Sequence, residues 1–401
     1  MTRPDPAHRR ARRRDRLVYL RSHPLLFGLL AATRGRPVRR LGRTLLVHDA
    51  DAYREALTRL PLDRTAAGTT GAAARTALSG GTGAGRREPG LIGTTPPGGA
   101  GVLFDQEGGG HRADRRGLAD GLGSAGVEQL RAVWQPLLVR RLAPLGRGAE
   151  VDLVQLAREL AGSVVCALLD SAADPLAVAD AAAEAAAASV RSHLPGPRRP
   201  RAEAAAARAA DRLRRLLGSP GTAAAGTAYA GTGEAGTVDA LAAMVAVAAV
   251  NTTVAALPRA VAWCADAGLW DQAADEELRP ALADELLRVT AASPLLPRVA
   301  AADGAVGGCP VRGGDRLLLV ARHAAEAHRR DPDARRPAGP ATAHLVFGAG
   351  PHVCPGARLA RVQLADVLGA LAPHRPVVTR ARVDRGAALP GWRCLTVRAG
   401  A

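Results

Sequence analysis

The stretch His344–Ala360, HLVFGAGPHVCPGARLA, places one of the chain's three phenylalanines and one of its five cysteines inside a glycine-rich turn. Cys354 is followed by Pro355, whose missing N–H suits the first position of a helix, where that donor would lack a partner anyway. GARLARVQLADVLGALA then continues with a helical apolar period. The cysteine therefore falls at a helix N-terminus, where free backbone N–H groups and the positive end of the dipole favour a thiolate. Gly348, Gly350 and Gly356 permit a tight turn and the close approach of a flat ligand.

Composition narrows the setting. The chain has 401 residues, 47% of them hydrophobic, enough to bury a large core. The net charge of +17 suggests nucleic acid at first sight, yet all 54 basic residues are arginine and aromatics make up only 2%. Stacking platforms between cations are missing, so a nucleic-acid partner is set aside. The abundance of Arg, Ala, Gly and Pro reads as a coding bias, which makes rare residue types the informative ones. The cysteines (Cys166, Cys264, Cys309, Cys354, Cys394) are odd in number and lack CxxC spacing, which speaks against a disulfide framework or a zinc site and fits a reducing cytoplasm.

Two apolar runs need a reading. PLLFGLLAA near the N-terminus resembles a short secretion signal, but Arg34, Arg36, Arg39 and Arg40 follow without a small-residue cleavage site, so a helix is expected. Leu241–Trp263 is nearly long enough to span a bilayer. It carries Asn251, Thr252 and Thr253 at its centre, and reads as a buried core helix with no membrane role.

Elsewhere, Pro37–Arg59 predicts two short strands and an Asp-capped helix. Leu60–Gly110 is a long Gly/Thr/Pro-rich loop. Helical periods follow through VEQLRAVWQPLLVRRLAPL and VDLVQLARELAGSVVCALLD, then two Ala-rich helices separated by LPGPRRP. The expected class is mainly α with a minor β component.

The pattern Phe347-Gly348-x-Gly350-x-His352-x-Cys354-x-Gly356-x-x-Leu359-Ala360 resembles the haem-binding signature of the cytochrome P450 family. The resemblance implies a single triangular domain over residues 1–401, with residues 1–16 a flexible Arg-rich start. It also implies haem b, held between an oxygen-binding helix and the helix that begins after Cys354, whose thiolate is the axial iron ligand. Glu285 and Arg288 match the family's ExxR pair, on one helix face by their spacing. Arg298, His111, Arg115 and His352 match positions that bind the haem propionates. Phe347, Gly348, Gly350 and Gly356 would shape the turn around the cofactor.

Two departures stand out. Residues 329–343 are short for the family's meander and lack its aromatic, and Arg335 or Arg336 is the expected partner of Glu285. In the oxygen-binding helix, Ala248 and Ala249 take the small positions and Thr252 the hydroxyl position, but Asn251, the chain's sole asparagine, replaces the acid. A carboxylate exchanges protons with water where an amide does not. Three routes stay open: relay through Thr252 and ordered water, assistance by a substrate group, or chemistry other than oxygen insertion. If relay limits the reaction, Asn251→Asp raises coupling of electron use to product.

The resemblance implies a soluble, cytoplasmic, monomeric haem-thiolate monooxygenase. It would hydroxylate or epoxidise a small or medium-sized, largely apolar specialised metabolite, using O2 and electrons from NAD(P)H passed through ferredoxin reductase and ferredoxin, with no reductase domain attached. Oxidative coupling, ring formation or desaturation is the alternative, and a non-catalytic homologue acting as another enzyme's partner is the third. Ile92, Leu295, Leu296, Leu389 and Trp392 are the expected substrate-pocket residues. Arg112, Arg116, Arg358 and Arg361 would attract an acidic ferredoxin, and the cluster at Arg191, Arg198, Arg199 and Arg201 an acidic substrate or a carrier protein bearing it.

Overall fold

A computed structural model describes residues 6–66, 69, 108–192, 200–218 and 235–400. The arginine-rich start, expected to be flexible over residues 1–16, is helical from residue 6 in α1 (Pro6–Ser22). Asp15 explains this. It is 3% exposed and accepts from Nε and Nη2 of Arg259 at 2.9 and 2.6 Å and from Nη1 of Arg322 at 2.8 Å. Both guanidiniums lie against the Tyr19 ring, 4.5 and 4.2 Å from its centroid, and the Tyr19 hydroxyl donates to the Thr290 carbonyl at 2.6 Å. Buried cations need such partners, so the cluster fastens α1 to the body of the molecule.

Next come α2 (Pro24–Thr33), β1 (Val38–Leu41), β2 (Thr44–Val47) and α3 (Ala50–Thr58). The expected strand pair and capped helix are both present, with the Asp49 carboxylate accepting from the N–H groups of Asp51 and Ala52. Of the long loop, Leu62 bridges to Ala300. The helical body comprises α4 (Gly108–Leu122), α5 (Ser124–Leu142), α6 (Leu153–Leu168), α7 (Pro175–Ser192), α8 (Pro200–Leu217) and α9 (Ala235–Ala267). The two Ala-rich segments pack against each other as α7 and α8, because alanine faces let helix backbones approach closely.

At 33 residues, α9 is about 50 Å long. Its span from Ala240 to Ala267 is long and apolar enough to cross a membrane, but it packs on α1, α6, α7 and α8, as a core helix does. After it come α10 (Trp270–Ala274), α11 (Arg279–Thr290), β4 (Leu296–Val299), β5 (Gly304–Val306), β6 (Cys309–Val311), β7 (Arg316–Leu319), α12 (Ala321–Ala324), α13 (Pro340–Ala343) and α14 (Ala357–Leu371). The chain closes with β3 (Val151–Asp152) paired to β9 (Gly391–Arg398), which pairs in turn with β8 (Val377–Asp384). A second sheet has the order β1-β2-β7-β4, in which β2 and β7 run parallel and the other pairs antiparallel. Its inner face packs with α3 in a core separate from the main helical one. The cysteine turn, between α13 and α14, leans on that smaller core.

Candidate functional site

The cysteine turn is built by its glycines. Gly348 and Gly350 have φ of +82° and +70°, a region that penalises other side chains. At Gly350 a Cβ would also lie 3.1 Å from the Leu57 carbonyl oxygen, so the turn can sit against the end of α3 only with glycine there. The Cys354 N–H donates back to the Phe347 carbonyl at 2.8 Å, closing the loop. α14 begins at Ala357 with Gly356 as its N-cap residue. Pro355 thus lies two residues before the first helical one, in a turn, rather than at the first helical position.

Crowding by protein atoms raises the pKa of Cys354 above its ordinary value against the lowering effects of the Gly356 N–H and the Arg115 charge, although the residue reaches solvent. Arg115, on α4, donates from Nη1 to the Val353 carbonyl at 2.8 Å, which ties α4 to the residue before the cysteine. His111 is on the same helix, but its side chain lies outside the described residues. His352 is half-buried in the turn, and Phe347 is half-buried with the Arg361 guanidinium 5.2 Å from its ring centroid. Arg361 also pairs with Asp284 at 2.7 Å, a contact that adjacent acids at 284 and 285 on one helix and a basic α14 make intelligible afterwards.

Arg298, on β4, has no carboxylate partner among the described residues. Its Nη1 donates to the Pro297 carbonyl at 2.8 Å, but its buried Nε has no partner among the described residues. Burial and the like charge of Arg64 pull its pKa down to about 10. Arg298 lies near Tyr53, on the same α3 whose end supports Gly350. A partly desolvated guanidinium lacking a carboxylate is suited to an anionic group brought by a ligand. Together with a thiol turn whose glycines admit close approach, this donor set fits an iron porphyrin with its propionates.

Glu285 and Arg288 on α11 are both fully buried and joined bidentately, Nε to Oε1 at 2.9 Å and Nη2 to Oε2 at 2.7 Å. Arg288 donates further to the carbonyls of Ala325, Arg330 and Asp331 at 3.1, 3.2 and 3.3 Å. Neither Arg335 nor Arg336 is the partner of Glu285. That place is taken by the Ala338 backbone N–H at 2.9 Å, while Arg336 reaches only Asp333 at 3.4 Å, out in solvent. A short meander brings its own backbone to the acid, which leaves no room for a long side chain.

On α9, the Thr252 hydroxyl donates to the Ala248 carbonyl at 2.8 Å, and Ala249 packs at the edge of the same core as Phe347 and Ala360. Asn251 faces another way. It lines a cavity of about 270 Å³ between α6, α7, α9 and the β8–β9 turn, together with Leu389 and Trp392. The expected pocket residues are therefore not one group: Leu295 packs beside the Tyr19–Phe27 cluster, Leu296 beside the sheet core, and Ile92 lies outside the described residues. Of the arginines expected to face partners, Arg198 and Arg199 and the side chain of Arg112 lie outside the described residues, Arg191, Arg201 and Arg116 are exposed, and Arg358 donates to the Ser124 hydroxyl at 2.9 Å.

Comparison with known proteins places these features. The cytochrome P450 family profile matches residues 270–371. The 20-oxo-5-O-mycaminosyltylactone 23-monooxygenase of Streptomyces fradiae is 40% identical over 85 residues, which is 21% of this chain and spans only 20% of that relative. A cytochrome P450 solved with an acyl carrier protein ligated to hexadec-9Z-enoic acid superposes with a TM-score of 0.72 over 95% of this chain and 99% of its own, at 16% identity. The mycinamicin VIII C21 methyl hydroxylase of Micromonospora griseorubida gives 0.68 over 92% and 95%, at 23% identity. The fold is the cytochrome P450 fold, and the sequence match to the cytochrome P450 family lies in residues 270–371.

Proposed function

We propose, from that fold and the local family match, that the chain is a cytochrome P450 haem-thiolate monooxygenase, folded as one domain, that inserts one oxygen atom from O2 into a largely apolar specialised metabolite of antibiotic type. The observation that carries this reading is the pairing of a glycine-built cysteine turn with a partly desolvated Arg298, whose Nε has no partner among the described residues, beside the same helix α3. When bound, the haem supplies the O2 chemistry and its thiolate ligand the electron donation that favours O–O cleavage.

Each residue then has a task of its own. Cys354 would provide the sulfur that holds the iron, as a thiolate. The Gly356 N–H and Arg115 hold negative charge there once it forms. Arg298, with Arg115, His111 and His352, binds carboxylates at the cofactor's edge. Glu285 and Arg288 keep the chain that leads into the turn in place. Thr252 holds a proton on Oγ1, bonded to the Ala248 carbonyl and able to turn to a neighbouring acceptor. Ala248 and Ala249 keep the adjoining wall of α9 low enough for small molecules to approach.

The substrate class is supported by the two macrolide-type relatives, and electron supply from NAD(P)H through a ferredoxin by the exposed arginines near α4 and α14. The protein acts in the cytoplasm as a monomer. Reconstitution with haem, a surrogate ferredoxin and its reductase, in the presence of candidate macrolides and isotopically labelled O2, tests the reading. One labelled oxygen in the product is expected. Unlabelled dehydrogenated or coupled product would move the assignment to desaturation or coupling, and no product with a fully assembled cofactor would point to a non-catalytic partner.

A further inference from the structure

Phe347 and Cys354 are joined through the backbone: the Phe347 carbonyl accepts the Cys354 N–H at 2.8 Å, so whatever holds Phe347 also holds the start of the cysteine turn. The Phe347 ring is half-buried at the edge of the main core, and a side chain of α14 lies over it, with Cζ of Arg361 5.2 Å from the ring centroid. Arg361 is in turn held by Asp284 of α11, whose Oδ1 is 2.7 Å from its Nε. These two atoms attract as charges, but neither makes an aligned hydrogen bond among the described residues. The acid therefore fixes the place of the guanidinium and leaves its plane to the ring. Asp284 has a firm base, since the next residue is the fully buried Glu285, bonded to Arg288. A further titratable neighbour, His344, has Nε2 3.8 Å from the second oxygen of Asp284. Burial and the Arg361 charge keep its pKa below the ordinary histidine value, so it adds no second cation at neutral pH.

We propose that Arg361 is a positioning residue for the cysteine turn: Asp284 anchors its guanidinium, the guanidinium clamps the Phe347 ring, and the turn that carries Cys354 is thereby held. The sequence suggests a different use for this arginine, the attraction of an acidic ferredoxin. With side chains only 29% and 31% exposed, Arg361 and Asp284 instead answer each other's charge within the protein. A second consequence rests on the haem reading above; the clamp itself does not. Because acid and base cancel, the pair leaves the turn electrically balanced. Removing either member changes the charge felt by an electron added to a bound haem, in opposite directions for the two.

Hydrogen exchange read by mass spectrometry, and redox titration, both on the purified haem-loaded protein, test this. Arg361→Gln is expected to speed exchange in the segment 347–356 about three- to ten-fold, while the β1-β2-β7-β4 sheet is unchanged. Asp284→Asn should loosen the same segment less, because the guanidinium keeps the ring as a partner. In a Phe347→Leu background, Arg361→Gln should add less than about two-fold, since the clamp has no ring to act on. The reduction potential should become more negative in Arg361→Gln, which leaves Asp284 unanswered, more positive in Asp284→Asn, and close to wild type in the double variant. Unchanged exchange at 347–356, loosening spread equally over the whole chain, or a full effect of Arg361→Gln without the Phe347 ring would each overturn the clamp. Asp284→Asn indistinguishable from wild type in exchange would overturn the acid's part as anchor. Potential shifts of the same sign in both single variants would overturn the charge balance. A wild type without the thiolate-type carbon-monoxide band, beside the expected exchange pattern, would instead count against the haem reading.

Discussion

Two buried arginine sites hold this molecule together, and they are organised in opposite ways. At Glu285–Arg288 acid and base are three residues apart, and the arginine has three backbone carbonyls besides its partner. At Asp15 a single acid serves two arginines, Arg259 and Arg322, and Arg259 retains only the Tyr19 hydroxyl and a long 3.4 Å bond to the Pro390 carbonyl when that acid is removed. The first is a redundant local pair; the second hangs on one carboxylate. The motif that a sequence advertises is thus not the place where a single substitution does most harm.

Asp15→Ala breaks this comparison most severely. It strands two guanidiniums, one of them 1% exposed, and the expected loss is at or above the about 3–5 kcal/mol typical of unpairing a buried ion. Urea unfolding against wild type measures it. Glu285→Ala should fall at the lower end of the same range of about 3–5 kcal/mol, since the carbonyls still receive Arg288. If Glu285→Ala proves the more damaging, the redundancy argued for its site is wrong.

A third site, near the Asp15 cluster, responds to pH. His48 and His323 share a 2.8 Å contact between their Nδ1 atoms, and His328 stacks on His323. Burial lowers their pKa values to about 4, about 2 and about 4. The unfolded chain binds these protons near the ordinary histidine value of about 6.5, so their contribution is complete above that pH and is lost as pH falls toward about 4. The melting temperature should decline over that interval, and His323→Gln should flatten the decline. A melting temperature constant from about pH 7 to about pH 4.5 would contradict it.

Smaller effects sharpen the contrast. Gly350→Ala forces a positive φ and a 3.1 Å contact with the Leu57 carbonyl, costing about 1–2 kcal/mol and loosening the cysteine turn, which calorimetry would register. Arg336→Ala should change stability by under about 0.5 kcal/mol, because its pair with Asp333 is exposed. A loss comparable with Glu285→Ala would restore Arg336 as the acid's partner.

What could be read in advance follows the same division. The cysteine turn is legible because its glycines, proline and cysteine act within ten residues, and Glu285–Arg288 because helical spacing alone joins them. Asp15 and Arg259 are 244 residues apart, and nothing in RRRDRL distinguishes the one acid that will be buried. The Ala338 N–H that replaces an arginine at Glu285 is a backbone group, present at nearly every residue and so silent in a sequence. Asn251 stands out in the sequence as an oddity, but its place on the cavity between α6, α7 and the β8–β9 turn is a matter of packing alone. The split of Leu295 and Leu296 from Leu389 and Trp392 has the same origin.

The function proposed for this protein depends on Cys354 giving its sulfur to a haem. The direct measurement is the reduced, carbon-monoxide-bound absorption spectrum of the purified protein beside Cys354→Ala. The account predicts the strongly red-shifted Soret band of a thiolate-ligated haem in the wild type and its loss in the variant. The same band in Cys354→Ala, or a wild-type protein that takes up no haem, would contradict it.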